Sequence, residues 1–164
     1  MSTPTVAMAM GSKSDLPKMQ KAANELTKLG IPYEMRVLSA HRTPAEAMAW
    51  ASGAADRGVK VLICGAGMAA HLAGVVAAHS QLPVIGVPMN ASLGGMDSLL
   101  ATVQMPPGVP VATVGIDGAG AKNAAWLAAR IIALSDAEVA ATLAREIEAM
   151  RVKVLQDDQS IQQS

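Results

Sequence analysis

The chain has no phenylalanine, two tryptophans, one tyrosine and a single cysteine, and its thirteen Lys and Arg residues are matched by thirteen Asp and Glu. Each scarcity removes a class of function. With no basic run and no aromatic ladder, the chain offers nothing to a nucleic-acid backbone or to stacked bases, and nothing to an anionic membrane surface. Cys64 ends an apolar run, and no other residue can pair with it or share a metal with it, so it reads as a buried, inert thiol. No basic region followed by a long apolar segment opens the chain, so no secretory signal is expected and the cytoplasm is the expected compartment. The longest apolar stretch, 61–78, contains His71 and is interrupted by Gly65, Gly67 and Gly74, so it reads as a buried strand, turn and helix rather than a membrane span. A Walker P-loop, an H-E-x-x-H helix and a G-x-S-x-G elbow are all missing. Charged residues make up 16% of the chain and hydrophobic ones 51%, against about 25% charged in an ordinary domain. So little polar material covers a monomer that apolar surface is expected to be buried between subunits, and the remaining partner is a small molecule.

What is present is alternation. At 164 residues the chain fits one domain, able to bury roughly 70% of its unfolded surface without a disulfide or metal. Short β-rich runs alternate with helical patterns throughout, which predicts βαβ units and a parallel sheet covered by helices on both faces. The predicted strands are Thr5–Met10, Tyr33–Leu38, Val59–Cys64, Val84–Val87 and a fifth near Val111–Ile116. Asp15 caps the first helix with Pro17 in its first turn, and Gly30 stops it. Thr43, Pro44 and Glu46 satisfy the capping-box spacing for the second helix, and Gly58 ends it. Further helices are predicted over Ala69–His79, Met96–Val103 and Ala121–Leu134, with Pro106, Pro107 and Pro110 breaking the pattern before the fifth strand. A last helix starts at Ser135 or Asp136 and carries Val139, Leu143, Ile147, Met150 and Val154 on one face, a stripe that needs a groove. The fold class is therefore α/β, a three-layer, doubly wound parallel sheet of flavodoxin-like order 2-1-3-4-5 with a C-terminal helix. Residues 1–155 form the single domain, and 156–164 a polar, frayed tail.

In that order the turns after the first three strands open into one crevice at the switch point. The first is Gly11-Ser12-Lys13-Ser14-Asp15, where a glycine admits close approach and two hydroxyls meet free N–H groups that favour an anion. The same residues also serve as ordinary helix caps, and Lys13 reads as solvated. The second is Ser39-Ala40-His41-Arg42-Thr43-Pro44. Arg42 presents a planar fork suited to phosphate or carboxylate, and His41 is a proton-exchange candidate at a strand end, where side chains point into the crevice. The third, Gly65-Ala66-Gly67-Met68-Ala69-Ala70-His71, fits the permissive dinucleotide fingerprint G-x-G-x-x-A. It follows the third strand rather than the first, however, and the next strand ends in Val87-Pro88-Met89-Asn90 with no acid for a ribose. His71 can line the pocket. His79, eight residues further on, reads as structural, and the two make no metal site.

These motifs, in this order, resemble the bacterial PurE family, the N5-carboxyaminoimidazole ribonucleotide mutases of purine biosynthesis. The likeness continues through Gly86-Val87-Pro88, Met96-Asp97-Ser98-Leu99-Leu100, Val103-Gln104-Met105-Pro106 and Lys122-Asn123-Ala124-Ala125, leaving only the tail outside. It implies that Ser12, Asp15 and Arg42 bind the ribonucleotide with Ser39 assisting, that His41 transfers the proton, and that the backbone from Ala66 to Ala70 surrounds the migrating carboxylate. Candidate substrate-binding residues are thus Gly11, Ser12, Ser14 and Asp15, then Ser39, Ala40 and Arg42, then Ala66, Gly67, Met68, Ala69, Ala70, His71 and Leu72, with His41 catalytic. The resemblance implies no cofactor and no metal, and a homo-octamer. Met68 and Ala73 stand where the family usually has glycine and proline, and the 89–96 segment is about a residue short. The run Ala69-Ala70-His71-Leu72 favours the mutase over the related carboxylase, which takes carbon dioxide from solution. The alternatives are that carboxylase, a dinucleotide-dependent oxidoreductase and a binding-only nucleotide sensor.

Overall fold

A computed structural model describes residues 3–163. Five strands, β1 (Val6–Met10), β2 (Tyr33–Val37), β3 (Val61–Gly67), β4 (Val84–Met89) and β5 (Ala112–Thr113), form one sheet in the order β2-β1-β3-β4-β5. Every pairing is parallel, so the predicted flavodoxin-like order is the observed one. Both faces of such a sheet are covered, which is why its central strands read as unbroken apolar runs. Along β1, Val6, Met8 and Met10 join Val61 and Ile63 of β3 on one face, while Ala7 and Ala9 join Leu62 and Cys64 on the other.

The first face is covered by α1 (Leu16–Lys28) and α5 (Asp117–Ala133). Met19, Ala22, Ala23 and Leu26 of α1 meet Ala121, Ala124, Ala125 and Ala128 of α5, whose alanines let the two helices lie close together. The opposite face carries α2 (Pro44–Ser52) and α3 (Leu72–Ala78), with Ala47, Trp50 and Ala51 buried beside Leu72, Ala73 and Val76. Next come α4 (Met96–Val103), with the predicted bounds, and α6 (Ala137–Gln162), which Asp136 caps by accepting from the N–H groups of Glu138 and Val139. On α6, Leu143 is buried and Val139 half-buried, and Glu146 pairs with Lys28 of α1, while Ile147, Met150 and Val154 stay exposed.

Several local expectations are corrected. Asp15 stands at the N-cap position of α1 but caps nothing; Ser12 instead caps a short 3-10 turn, Lys13–Asp15, ahead of the helix. Thr43 likewise makes no cap bond, because its hydroxyl is turned back to Ser39, so the capping box does not form. Helix α2 ends at Ser52, and Gly58 closes a separate 3-10 turn, Ala55–Arg57. Strand β3 runs on to Gly67 and β4 to Met89, because Gly65, Ala66 and Gly67 pair with Val87, Pro88 and Met89; α3 accordingly begins later, at Leu72. Edge strand β5 pairs only through Ala112 and Thr113, and α5 starts early, at Asp117. The described part of the tail is helical, α6 continuing to Gln162 with Lys153–Asp157 and Gln162–Asp158 contacts in its last turns, and Ser164 lies outside the described residues.

Candidate active site

The three turns do open together. At the carboxyl edge of β1, β2 and β3 lies a cleft of about 480 Å³, lined from Gly11 to Asp15 with Lys13 omitted, from Ser39 to Arg42, and from Ala66 to Leu72. Every residue expected at a site therefore borders one space, and Ala91 after β4 borders it too. Ala91 was not anticipated, although the strand-end rule that found the other turns finds it once β4 is extended to Met89.

A main-chain bond joins the first turn to the end of β3, Gly11 N–H donating to Gly65 O at 3.0 Å. The second turn is closed on its first residue. Ser39 N–H donates to Thr43 Oγ1 at 2.9 Å, Thr43 N–H donates to Ser39 O at 2.9 Å, and Arg42 N–H donates to Ser39 Oγ at 3.2 Å. This knot leaves His41 and Arg42 at its tip, and it explains why Thr43 gives up its cap. Arg42 then reaches the first turn, its Nη2 donating to Gly11 O at 2.7 Å while Nε lies 3.4 Å from Ser39 Oγ. A guanidinium held beside the Ser12 and Ser14 hydroxyls, themselves 2.8 Å apart, makes a seat for an anionic group.

His41 faces the third turn. Its Nε2 lies 2.9 Å from Nδ1 of His71, the rings meeting edge to face at 76° with centroids 4.9 Å apart. One of those nitrogens donates and the other accepts, so a proton lies on the line between the two rings. Beyond His71, the wall from Ala66 to Ala70 is main chain and small side chains, with Met68 61% exposed. The glycines there serve packing. A Cβ on Gly65 would lie 2.6 Å from Met89 Cε and 2.7 Å from Met19 Sδ, and Gly67 is still strand. The G-x-G of the dinucleotide fingerprint thus sits inside β3 rather than at a turn, and it forms no pyrophosphate loop.

Asp15 is half-buried in the same cleft. Burial raises its carboxyl above the ordinary range, the Lys18 ammonium and a Ser12 backbone bond opposing and Asp117 adding to the rise. Behind it, Asp117 is held below the ordinary carboxylate range: burial acts against this, but Lys18 and the Asn90 N–H outweigh it. Cys64 is buried on the opposite face and its thiol is pushed up to about 12 by burial, which makes it inert. His79 lies outside the cleft, its Nδ1 2.8 Å from Val75 O. Among the described residues no cluster of three metal-ligating side chains forms, and no helix is long and apolar enough to cross a membrane.

Comparison with known proteins agrees with this geometry. The family model described as AIR carboxylase matches residues 5–153. An N5-carboxyaminoimidazole ribonucleotide mutase of Pyrococcus horikoshii is 52% identical over 152 residues, which cover 92% of this chain and 85% of the relative. One of Bacillus subtilis is 49% identical over 159 residues, covering 96% of this chain and 98% of the relative. The crystal structure of Treponema denticola PurE superposes with a TM-score of 0.86 at 34% identity, covering 96% of this chain and 98% of that one. Sheet order, cleft and sequence thus point one way along nearly the whole length, and the chain belongs to the AIR carboxylase family.

Proposed function

We propose that this chain is an N5-carboxyaminoimidazole ribonucleotide mutase, moving a carboxylate from the exocyclic nitrogen of its substrate to C4 of the imidazole ring. The relatives at about half identity carry that name, and one observation supports the mechanism: His41 borders the same cleft as the Arg42 seat and the small-residue wall, its ring hydrogen-bonded to His71. The nucleotide's phosphate occupies the seat of Arg42, Ser12 and Ser14, with Asp15 beside the ribose. His41, protonated, gives its proton to the carbamate nitrogen. The N–C bond breaks, its electron pair stays on nitrogen, and carbon dioxide is released against the wall from Ala66 to Ala70. The freed amine pushes electron density through the ring to C4, which attacks the carbon dioxide carbon. His41, now neutral, removes the hydrogen from C4, and the ring regains its aromaticity with the proton inventory unchanged. Proximity supports the wall's role, since carbon dioxide kept beside C4 reacts before it diffuses away.

The same proposal extends to assembly and location, a homo-octamer in the cytoplasm. Exposed Ile147, Met150, Val154 and Leu155 on α6, in a chain with only 16% charged residues, support an apolar contact between copies. The test is an absorbance assay offering either the carbamate nucleotide or aminoimidazole ribonucleotide with bicarbonate. Turnover of the carbamate is expected. Turnover only with bicarbonate present would replace the mutase with the carboxylase, and thermal stabilisation by NADH but not by aminoimidazole ribonucleotide would favour an oxidoreductase.

A further inference from the structure

The cleft has a fourth side, where the chain leaves β4 through Asn90 and reaches the lining residue Ala91. Both main-chain polar groups of Asn90 are occupied by side chains from elsewhere. Its N–H donates to Asp117 Oδ1 at 2.8 Å, and its carbonyl accepts from Lys18 Nζ at 2.9 Å. Lys18 and Asp117 in turn pair with each other at 2.6 Å. Three elements, the start of α1, the end of β4 and the start of α5, are thereby closed into one ring of bonds.

We propose that Lys18 and Asp117 are a positioning pair for the reaction, gripping Asn90 so that the Ala91 wall stands at a fixed distance from the substrate-binding turn at Gly11–Asp15. Two further observations support this. Asp117 has φ +61°, a backbone conformation glycine takes freely and aspartate tolerates better than most residues, so the start of α5 admits a short carboxylate-bearing side chain at small cost. Beyond Ala91 the chain turns through the left-handed region, with Leu93, Gly94 and Gly95 at φ of 45°, 65° and 80°, and the Gly95 N–H donates to Ser92 O within that loop. Lys18 lies one helical turn after Asp15, so the grip is continuous with the turn it serves. Ser98 Oγ, 2.9 Å from both Met89 O and Gly95 O, holds the main chain on either side of the gripped residue.

What the wall does for the substrate rests on the mutase reading; the grip itself does not, and the experiment separates the two. Asp117→Gly removes the carboxylate at a backbone conformation glycine takes freely, so the variant is expected to fold. Asp117→Asn keeps an acceptor for the Asn90 N–H, and Lys18→Met keeps the stem without the charge. Amide exchange at Asn90, measured without substrate, is expected to quicken about tenfold in Asp117→Gly, with β1 and β3 unchanged. The dissociation constant for aminoimidazole ribonucleotide, measured by calorimetry, and KM for the carbamate are expected to rise about fivefold in Asp117→Gly and Lys18→Met. In both variants kcat stays within about twofold, and Asp117→Asn falls between them and the parent. Unchanged exchange overturns the grip. Faster exchange with unchanged nucleotide affinity overturns the positioning role. An inactive parent protein refutes the mutase reading alone, because exchange and affinity still decide the inference.

Discussion

The two edges of the sheet use the left-handed region of backbone space in opposite ways. At the amino-terminal edge, where helices return to strands, the residues with positive φ are Gly30, Gly58 and Gly108, at 71°, 84° and 90°. At the carboxyl-terminal edge, Gly94 and Gly95 are joined by four residues that carry side chains: Met68, Ala70, Leu93 and Asp117, at 56°, 32°, 45° and 61°. A glycine makes such a turn without strain, whereas Met68, Ala70 and Leu93 each cost about 1 kcal/mol or more and Asp117 somewhat less. The amino-terminal edge has only to reverse the chain. The carboxyl-terminal edge must also present main chain and chosen side chains to a cleft, and the hydrogen bonds around it hold what the backbone alone disfavours.

The comparison breaks most visibly at the second turn. His41→Asn is expected to lower turnover of the carbamate by about 10²- to 10⁴-fold, the usual worth of a proton-transfer group, while nucleotide affinity stays within a few-fold. Arg42→Ala should do the reverse, weakening nucleotide binding by about 10- to 100-fold with a much smaller loss in kcat, as expected when a charged hydrogen-bond donor is removed. Calorimetry and initial rates on both variants check this; equal losses in the same parameter would erase the division between chemistry and seat. Both side chains are exposed, so melting temperatures should stay near the parent's.

A smaller effect of opposite sign is expected at the two edges themselves. Gly58→Ala should cost about 1–2 kcal/mol, since φ is +84° and the new Cβ would lie 2.7 Å from Thr3 Cγ2. Met68→Gly should stabilise by up to about 1 kcal/mol, relieving strain at a side chain that buries little. Urea denaturation of both reads the signs directly, and two changes of the same sign would remove the distinction. The smallest effect concerns Asp15, whose carboxyl is raised chiefly by burial. A group raised on folding contributes stability that is present below its unfolded pKa and lost as pH rises through the folded value. Asp15→Asn should therefore melt above the parent at neutral pH, with the difference closing as pH falls below the ordinary carboxylate range. A gain that grows toward acid contradicts the raised carboxyl.

The site was legible where its chemistry is contiguous in sequence. Ser39 to Pro44 places the proton-transfer candidate, the cation and the helix start in six consecutive residues, and the strand-end rule supplies their direction. It was less legible where a residue has two uses. Thr43 and Glu46 have the spacing of a capping box, yet closing the turn around Ser39 takes the hydroxyl first. Gly65 and Gly67 read as a turn because sequence does not count neighbouring strands; flanked by β1 and β4, the chain stays extended for as long as it has partners. The Asn90 grip was invisible, since it joins residues 72 and 27 positions apart with no local pattern. The tail's polar composition suggests fraying and conceals the helix that pairs three and four residues apart carry to Gln162.

The claim on which the mechanism turns is that the carboxylate migrates inside the cleft, from nitrogen to C4, without joining the pool in solution. The direct measurement supplies carbamate nucleotide labelled with carbon-13 in its carboxylate, allows a single turnover in unlabelled bicarbonate, and reads the C4 carboxylate of the product by mass spectrometry. Retention of the label in the product is the predicted result. A product carboxylate with the isotopic composition of the dissolved pool would contradict it.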